Sequence, residues 1–320
     1  MKSPLLALPG AVPAEGADEG VAAHYGDIFR EQRNLSQGTG FVDLSHRGVV
    51  TVSGADRLSW LHLLLTQHVS GLEPQHATEA LVLSPNGHVE HALYLVDDGT
   101  TTWAHVEPGT QGALVAYLES MKFFYRVEVA DATADYAVVH LPAGSTGSVE
   151  GAAAVRELPH GRDLFVPRAE LAELAAGYGP AAGVWAYEAL RIEGHRPRLG
   201  FETDHRTIPH EVDWLSTAVH LQKGCYRGQE TVARVHNLGR PPRRLVFLHL
   251  DGTEETLPPH GTEVRLASDP DGRSLGFVTS SARHHELGPI ALAIVKRNVP
   301  VDAVLLAGTV PGTQDVIVPQ

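Results

Sequence analysis

The sequence predicts an α+β fold that ends in a small all-β barrel or sandwich. Amphipathic helices lie between short strands, an Asn-Gly turn joins two of these strands, and the residues after Pro242 form short apolar runs separated by Gly, Pro and Asp. The 320 residues, of which 43% are hydrophobic and 20% charged, are enough for two or three domains and too apolar for a mainly disordered chain.

A strand over residues 49–52 and a helix over the residues that follow are predicted first. Leu58, Leu61 and Leu65 repeat at helical spacing, so the helix carries one apolar stripe. Residues 53–56 before them, Ser-Gly-Ala-Asp, have capping-box character, which is typical of a helix start.

A hairpin and a second helix come next along the chain. Two strands, 81–83 and 89–96, flank Asn86-Gly87, and an Asn-Gly pair readily adopts the positive φ of a tight turn. Apolar residues at helical spacing predict the second helix over 113–124. Helices packed on antiparallel strands define the α+β class.

The remaining predicted elements are a strand from Tyr136 that leads into a Gly/Ser-rich loop up to Gly151, two Ala-rich helices, a helix that Gly239 ends, and C-terminal strands. The helices are predicted at 170–176, 181–190 and 229–236, and the strands at 245–250, 263–266, 275–280 and 290–295. Short strands divided by turn residues are typical of a barrel or sandwich.

Composition and motifs argue against several functional classes. The formal net charge of −13 repels polyphosphate, so nucleic acid is not expected as the main ligand. A single cysteine forms no internal disulfide and no multi-cysteine zinc site. The sequence has no Gly-rich dinucleotide motif, P-loop or serine-hydrolase motif, and its 19 histidines lack metal-site spacing, so no metal site is predicted.

The first 24 residues are predicted to be a flexible tail, because three prolines interrupt their apolar run. The rest of the chain has no apolar run of membrane-spanning length. The sequence therefore predicts a cytoplasmic protein without a membrane partner.

The segment that carries chemistry surrounds Cys225. Lys223 and Arg227 stand on either side of this cysteine, and the predicted helix over 229–236 begins just after it. Nearby cations and unpaired N–H groups at a helix start favour thiolate over thiol, so a lowered thiol pKa and a reactive Cys225, assisted by Lys223, are predicted. The alternative is that Cys225 is a small packing residue between two glycines.

The octapeptide 223–230, Lys-Gly-Cys-Tyr-Arg-Gly-Gln-Glu, resembles the signature of the YgfZ family. This family comprises folate-binding relatives of the glycine-cleavage T-protein and includes a mitochondrial iron–sulfur assembly factor. The resemblance extends in order over roughly residues 25–310. The other matching segments are Phe41–Gly48, Leu83–Gly87, Leu190–Gly194, Ser274–Ser280 and Ile290–Ala293.

The resemblance implies a T-protein-like ring of three subdomains around a central hole that holds tetrahydrofolate or a one-carbon derivative. Glu193 matches the carboxylate that grips the pterin in T-protein relatives, and its two oxygens suit the adjacent N–H donors of a pterin. A salt bridge from Glu193 to Arg191 or Arg196 is the plain alternative. The other residues assigned to the folate site are Arg191, Glu90, Tyr226, Gly228, Gln229, Glu230 and Arg234.

The predicted division of the chain follows the same resemblance. After the tail come a T-protein-like α+β subdomain, a second α+β subdomain with the cysteine motif, and the C-terminal β-barrel. Their predicted bounds, with the tail first, are 1–24, 25–135, 136–239 and 240–320.

One departure concerns the residues after the hairpin glycine. The resemblance implies that T-protein carries out acid–base chemistry with a pair of aspartates just after this glycine. The matching positions in this sequence are Glu90 and His91. Because catalytic geometry tolerates little displacement, aminomethyl transfer is expected to be lost.

A basic run inside this acidic chain is a further candidate binding feature. It consists of Arg234, His236, Arg240, Arg243 and Arg244. Arginine forks suit carboxylates, so the run is interpreted either as a site for a folate glutamate tail or an acidic partner, or as a solvated entrance to a strand.

The sequence thus predicts a folate-binding accessory factor for iron–sulfur cluster assembly or repair, with assembly or client proteins as partners. One cysteine alone cannot hold a cluster, so a partner must supply further ligands. A folate-dependent aminomethyltransferase or demethylase of the T-protein type, and a plain binding module with a packing cysteine, stay open as alternatives.

Overall fold

The computed structural model describes residues 1–253 and 256–318. The chain contacts group it into two compact units. The first comprises Met1–Val82 and His91–Tyr187, and the second comprises Leu83–Glu90 and Glu188–Gln320.

The described residues form strands and helices in the following order along the chain. The strands are β1 (Val12–Pro13), β2 (Ala22–His24), β3 (Phe41–Asp43), β4 (Gly48–Ser53), β5 (Ala77–Leu83), β6 (Val89–Asp97), β7 (Thr101–Val106), β8 (Glu128–Asp131), β9 (Tyr136–Pro142), β10 (Ala154–Leu158), β11 (Gly161–Pro167), β12 (Ala181–Ala182), β13 (Arg243–Leu250), β14 (Glu263–Leu266), β15 (Gly276–His284), β16 (Gly288–Lys296), β17 (Leu305–Ala307) and β18 (Val310–Val316). The α-helices are α1 (Ile28–Ser36), α2 (Arg57–Leu64), α3 (Gln111–Ser120), α4 (Leu171–Ala175), α5 (Val184–Glu193), α6 (Trp214–Thr217) and α7 (Gln229–Leu238).

Two five-stranded sheets are built mainly from the first unit. One has the order β5-β6-β7-β4-β8, and the other has the order β10-β11-β9-β3-β12. The first sheet buries Val50 and Leu95 together with Trp60 of α2 and Leu118 of α3. The apolar stripes of these two helices are therefore covered by the sheet, as their leucine spacing predicts.

A closed barrel of six strands forms the C-terminal part of the second unit, in the order β13-β16-β15-β14-β17-β18. Alternate residues such as Val246, Leu248 and Ala293 fill its core. A register shift between Val278 and Ser280 interrupts the β15–β16 pairing. Such a bulge re-aims side chains locally.

The structure confirms the α+β class and the C-terminal barrel and refines several bounds. The hairpin strands and the helix after Cys225 lie where the sequence predicts them. The helix predicted from Ala181 begins instead at Val184, because residues 181–182 pair as a parallel strand with β3. Strands β17 and β18 were not predicted.

Residues 1–24 contain regular structure where the sequence predicts a flexible tail. Leu5 is buried in the core of the second sheet, and Val12 of β1 pairs with His24 of β2. Pro4 begins a short 3₁₀-helix and Pro13 ends β1, so these prolines do not prevent the segment from packing. The ring of three subdomains and the bounds at 135 and 239 stay predictions.

Candidate functional site

The tip of the β5–β6 hairpin, residues 83–90, contacts the start of α7 within the second unit. Gly87 and Gly228 have φ angles of +80° and +82°. A Cβ built on Gly228 would lie 2.6 Å from the carbonyl oxygen of Ser84 and 2.9 Å from Cα of Gly87. The two backbones are therefore so close that a side chain on Gly228 would displace one of them.

Further contacts hold the hairpin tip. Nη2 of Arg227 lies 3.3 Å from Oε1 of Glu90, and both side chains are partly exposed. The backbone N–H of Val89 donates to the carbonyl oxygen of Thr207 at 2.9 Å. The structure thus brings predicted site residue Glu90 next to the cysteine motif, from which it is separated by more than a hundred residues.

Cys225 lies in the cysteine loop, residues 223–228, and its side chain is exposed. Nζ of Lys223 lies 5.1 Å from the ring centre of Tyr226, and burial lowers the pKa of Lys223 to about 8. Tyr226 itself is buried, which raises its pKa to about 12. The ammonium group is therefore packed on an aromatic face at a cation–π distance.

The end of the cysteine loop is shaped by Gln229. Its Oε1 accepts a hydrogen bond from the backbone N–H of Tyr226 at 3.0 Å, and Gly228 is the N-cap of α7. Glu230 lies in the first turn, where a negative charge interacts favourably with the helix dipole, and Arg234 is exposed farther along. Cys225 therefore lies three residues before the helix cap, as predicted.

Glu193 ends α5 and has a side chain that is 46% exposed. Its Oε2 lies 3.4 Å from Nε2 of His284, whose side chain is only 1% exposed. The side chain that the structure places against Glu193 is therefore that of a histidine at the end of β15. The alternative considered from the sequence was a salt bridge from Glu193 to Arg191 or Arg196.

Arg191 occupies a buried polar network. Its guanidinium donates to Glu188 Oε2 at 2.9 Å, Glu202 Oε2 at 3.0 Å and Ser280 Oγ at 2.7 Å. Burial lowers the pKa of Arg191, but the two carboxylates outweigh it and raise the net value. This arrangement favours a role in fixing α5 over direct contact with a ligand.

The basic run does not form one exposed cluster. Arg243 donates to Asp204 Oδ2 at 2.6 Å and to Glu211 Oε2 at 2.9 Å, and Glu211 is buried. Arg244 is 1% exposed and donates to the Val299 carbonyl at 3.1 Å. The interpretation of these two arginines as a solvated or ligand-binding surface is therefore wrong, since internal acceptors hold both.

Glu202 and His284 contact predicted site residues, and neither of them was identified from the sequence. Glu202 accepts a hydrogen bond from Arg191, and His284 lies next to Glu193. Oε1 of Glu202 accepts from Thr279 Oγ1 at 2.9 Å and from Ser280 Oγ at 2.5 Å, next to the bulge in β15. These partners are more than seventy residues away along the chain. No local sequence pattern signals such a contact.

Two features are absent from the described part of the chain. Within residues 1–253 and 256–318, no group of three or more His, Cys, Asp or Glu side chains is arranged to hold a metal ion. None of the helices in these ranges combines the length and apolar character needed to cross a bilayer.

The chain is similar in sequence and in fold to several known proteins. No family model matches the chain. It is 25% identical over 303 residues to a putative chloroplastic transferase of Arabidopsis thaliana, covering 82% of this chain and 66% of that protein. It is 27% identical over 298 residues to the mitochondrial iron–sulfur cluster assembly factor IBA57 homolog of Mycosarcoma maydis, covering 79% and 73%.

Aminomethyltransferases form the other group of relatives. The one from Moorella thermoacetica is 26% identical over 334 residues, covering 92% of this chain and 89% of that protein. The crystal structure of glycine cleavage system aminomethyltransferase T from Bartonella henselae superposes with a TM-score of 0.78 at 18% identity, covering 96% and 93%. The chain therefore has the fold of that aminomethyltransferase and is similar in sequence to both groups.

Proposed function

We propose that this chain is a tetrahydrofolate-binding accessory protein for iron–sulfur cluster assembly or repair, of the YgfZ type, that acts through Cys225. The observation that carries the proposal is the exposed thiol in a loop packed on the hairpin tip. Similarity to a protein named as an iron–sulfur cluster assembly factor supports it. Cytoplasmic location stays a prediction, since relatives are named as mitochondrial and chloroplastic.

Glu193 suits a pterin ligand. The carboxylate is about half exposed, so a ligand can reach it, and its oxygens complement adjacent N–H donors. Arg191 does not suit direct contact, because its donors are engaged inside the protein. In this proposal Arg191 positions the helix, Glu193 binds the pterin, and the ring of three subdomains supplies the surrounding hole.

The remaining assigned residues have supporting parts in this proposal. Tyr226, Gly228 and Gln229 shape the cysteine loop, and Glu90 fixes its Arg227. Glu230 and Arg234 are exposed on α7 and are proposed to contact the folate or a partner. When bound, tetrahydrofolate would supply a carrier for one-carbon units.

Cys225 is proposed to act as a thiolate toward iron or sulfur of a cluster held by a partner. Thiolate is a ligand that iron–sulfur clusters use, and one cysteine supplies a single ligand. Lys223 provides a cation in the same loop, although burial lowers its pKa to about 8. The cluster is thus cargo, and an assembly or client protein supplies the other ligands.

Aminomethyl transfer of the T-protein type is the second candidate, and the fold and several relatives favour it. Against it, the carboxylate of Glu90 faces the guanidinium of Arg227 at 3.3 Å. A general acid or base must contact its substrate, whereas this carboxylate is engaged with a side chain of the cysteine loop. We therefore rank this candidate second.

Cys225→Ser tests the cysteine role. In cells that lack the natural gene, we expect the variant to restore less iron–sulfur enzyme activity than the unmodified chain at equal protein level. Its urea midpoint and folate affinity should be unchanged, because the exposed side chain packs little. Full restoration by Cys225→Ser would reject a reactive cysteine, and methylene-tetrahydrofolate formation from an aminomethylated lipoyl carrier would favour the second candidate.

Glu193→Gln tests the folate role by calorimetry with 5-formyltetrahydrofolate. Loss of hydrogen bonds to a charged acceptor should weaken binding roughly ten-fold or more. Glu286→Gln is the matched control, since Glu286 is a 76% exposed carboxylate near the same strand end. Equal affinities of the unmodified chain and Glu193→Gln would remove Glu193 from the site.

A further inference from the structure

His284 has its hydrogen-bonding pattern fixed by the turn after β15. Its Nδ1 accepts from the backbone N–H groups of Glu286 at 3.2 Å and Leu287 at 3.1 Å. A ring nitrogen that accepts two N–H groups carries no hydrogen, so the ring hydrogen is on Nε2. Burial favours this neutral ring by lowering the pKa of His284, although Glu193 opposes the shift.

The Nε2–H group of His284 lies next to the carboxylate of Glu193. Nε2 is buried and has no hydrogen bond of good geometry among the described residues, but it lies 3.4 Å from Oε2 of Glu193. A buried donor without a bond costs free energy. Glu193 is about half exposed, so its side chain can change rotamer toward this donor.

We propose that His284 is a positioning residue of the folate site, which donates its Nε2–H to Oε2 of Glu193 and so orients the carboxylate. The proposal rests on the folate role of Glu193. Each carboxylate oxygen has two lone pairs, so Oε2 accepts from His284 and still faces the ligand beside Oε1. Nothing in the local sequence around Glu193 signals this partner, which lies 91 residues farther along the chain.

Orientation matters because the side chain of Glu193 is otherwise free to sample several rotamers in water. A ligand that must order the carboxylate loses affinity by that ordering. The buried ring of His284 is itself held by two backbone N–H groups, so it supplies a fixed reference point. The barrel thus contributes to a site whose ligand-binding side chain lies on α5.

Two substitutions of His284 separate positioning from packing. Asn keeps an acceptor at the place of Nδ1 for the turn N–H groups, but is too short to donate to Glu193. Gln places an amide donor near the position of Nε2 and gives up the turn acceptor. A structural role therefore predicts that Asn is the milder change, whereas the positioning role predicts that Gln is milder for binding.

The experiment is calorimetric titration with 5-formyltetrahydrofolate. We expect His284→Asn to weaken binding by about 3–10-fold, the range for one hydrogen bond to a half-exposed charge, and His284→Gln to recover most of it. In a Glu193→Gln background, His284→Asn should have no further effect, because the two residues act as a unit. Nitrogen NMR of the imidazole should show the Nε2–H tautomer in the free protein.

The outcomes distinguish the two proposals. If the unmodified chain binds no folate, the proposed function fails and this role falls with it. If it binds and Glu193→Gln weakens binding, the proposed function stands. In that case unchanged affinity in His284→Asn, additive effects in the double variant, or an Nδ1–H tautomer would each overturn the role of His284.

Discussion

Replacing Gly228 with alanine tests the close contact between the cysteine loop and the hairpin tip. The added Cβ would lie 2.6 Å from the Ser84 carbonyl oxygen and 2.9 Å from Cα of Gly87. Both neighbours are backbone atoms, so neither can move as a side chain would. Gly224 in the same loop is the matched control, because its φ is also positive at +101° and nothing lies within 4 Å of its Cβ position.

Both substitutions place alanine at a positive φ, but only Gly228→Ala also creates a steric clash. A positive φ costs alanine about 1–2 kcal/mol at either position. Gly228→Ala adds the cost of overpacking, typically about 1–3 kcal/mol. We therefore expect Gly228→Ala to lower the free energy of unfolding by about 2–5 kcal/mol in total, and by about 1–3 kcal/mol more than Gly224→Ala.

Urea unfolding followed by circular dichroism measures both variants. The slope with denaturant should stay constant, so that a lower midpoint reports a loss of stability. If Gly228→Ala and Gly224→Ala lose the same free energy, the backbone contact between the loop and the hairpin tip does not exist as described.

Two further predictions concern buried charge. Arg243→Lys keeps the charge but loses the paired contacts with Asp204 and buried Glu211, so we expect a loss of about 2–4 kcal/mol in urea unfolding, and a loss below 1 kcal/mol would contradict the network. Burial lowers the pKa of both His105 and His210 to about 4, below the value of about 6.5 in the unfolded chain. The free energy of unfolding is therefore highest above pH 6.5. It falls as the pH drops toward 4, by up to about 1.4 kcal/mol per pH unit for each histidine. Urea midpoints measured from pH 7 to 4.5 check this, and His210→Gln should reduce the slope; an unchanged slope would exclude His210 as a source.

Features encoded by neighbouring residues could be predicted from the sequence. Asn86-Gly87 specifies the turn of the hairpin, and helix α7 begins at Gln229 and is followed by Gly239, as its pattern indicates. The position of Cys225 just before this helix follows from the same local signals, whereas its exposure does not, because a packing cysteine suits the same sequence. Each of these features depends on φ preference, capping or apolar period within a few residues.

Features that depend on distant partners could not be predicted. Arg243 and Arg244 are adjacent in β13, where successive side chains point to opposite faces, so one is bound by Asp204 and the other by the Val299 carbonyl. The sequence shows only two adjacent cations, which equally suits a solvated run. The buried hydrogen bond from Arg191 to Glu202 could not be predicted for the same reason, because the two residues meet only in the folded chain.

The contact between Glu90 and Arg227 connects the hairpin tip to the cysteine loop, although the two residues are far apart in the sequence. The pair is partly exposed, so it adds little to stability, and its effect is mainly to keep the two charges near each other. Arg227 belongs to the cysteine loop, while Glu90 lies at the hairpin tip, at a position that the resemblance in sequence matches to one of the T-protein aspartates. The carboxylate of Glu90 is thus engaged with the arginine of the cysteine loop. Glu90 therefore supports the cysteine loop, and this contact favours the exposed thiol of that loop over Glu90 as the reactive group of the proposed function.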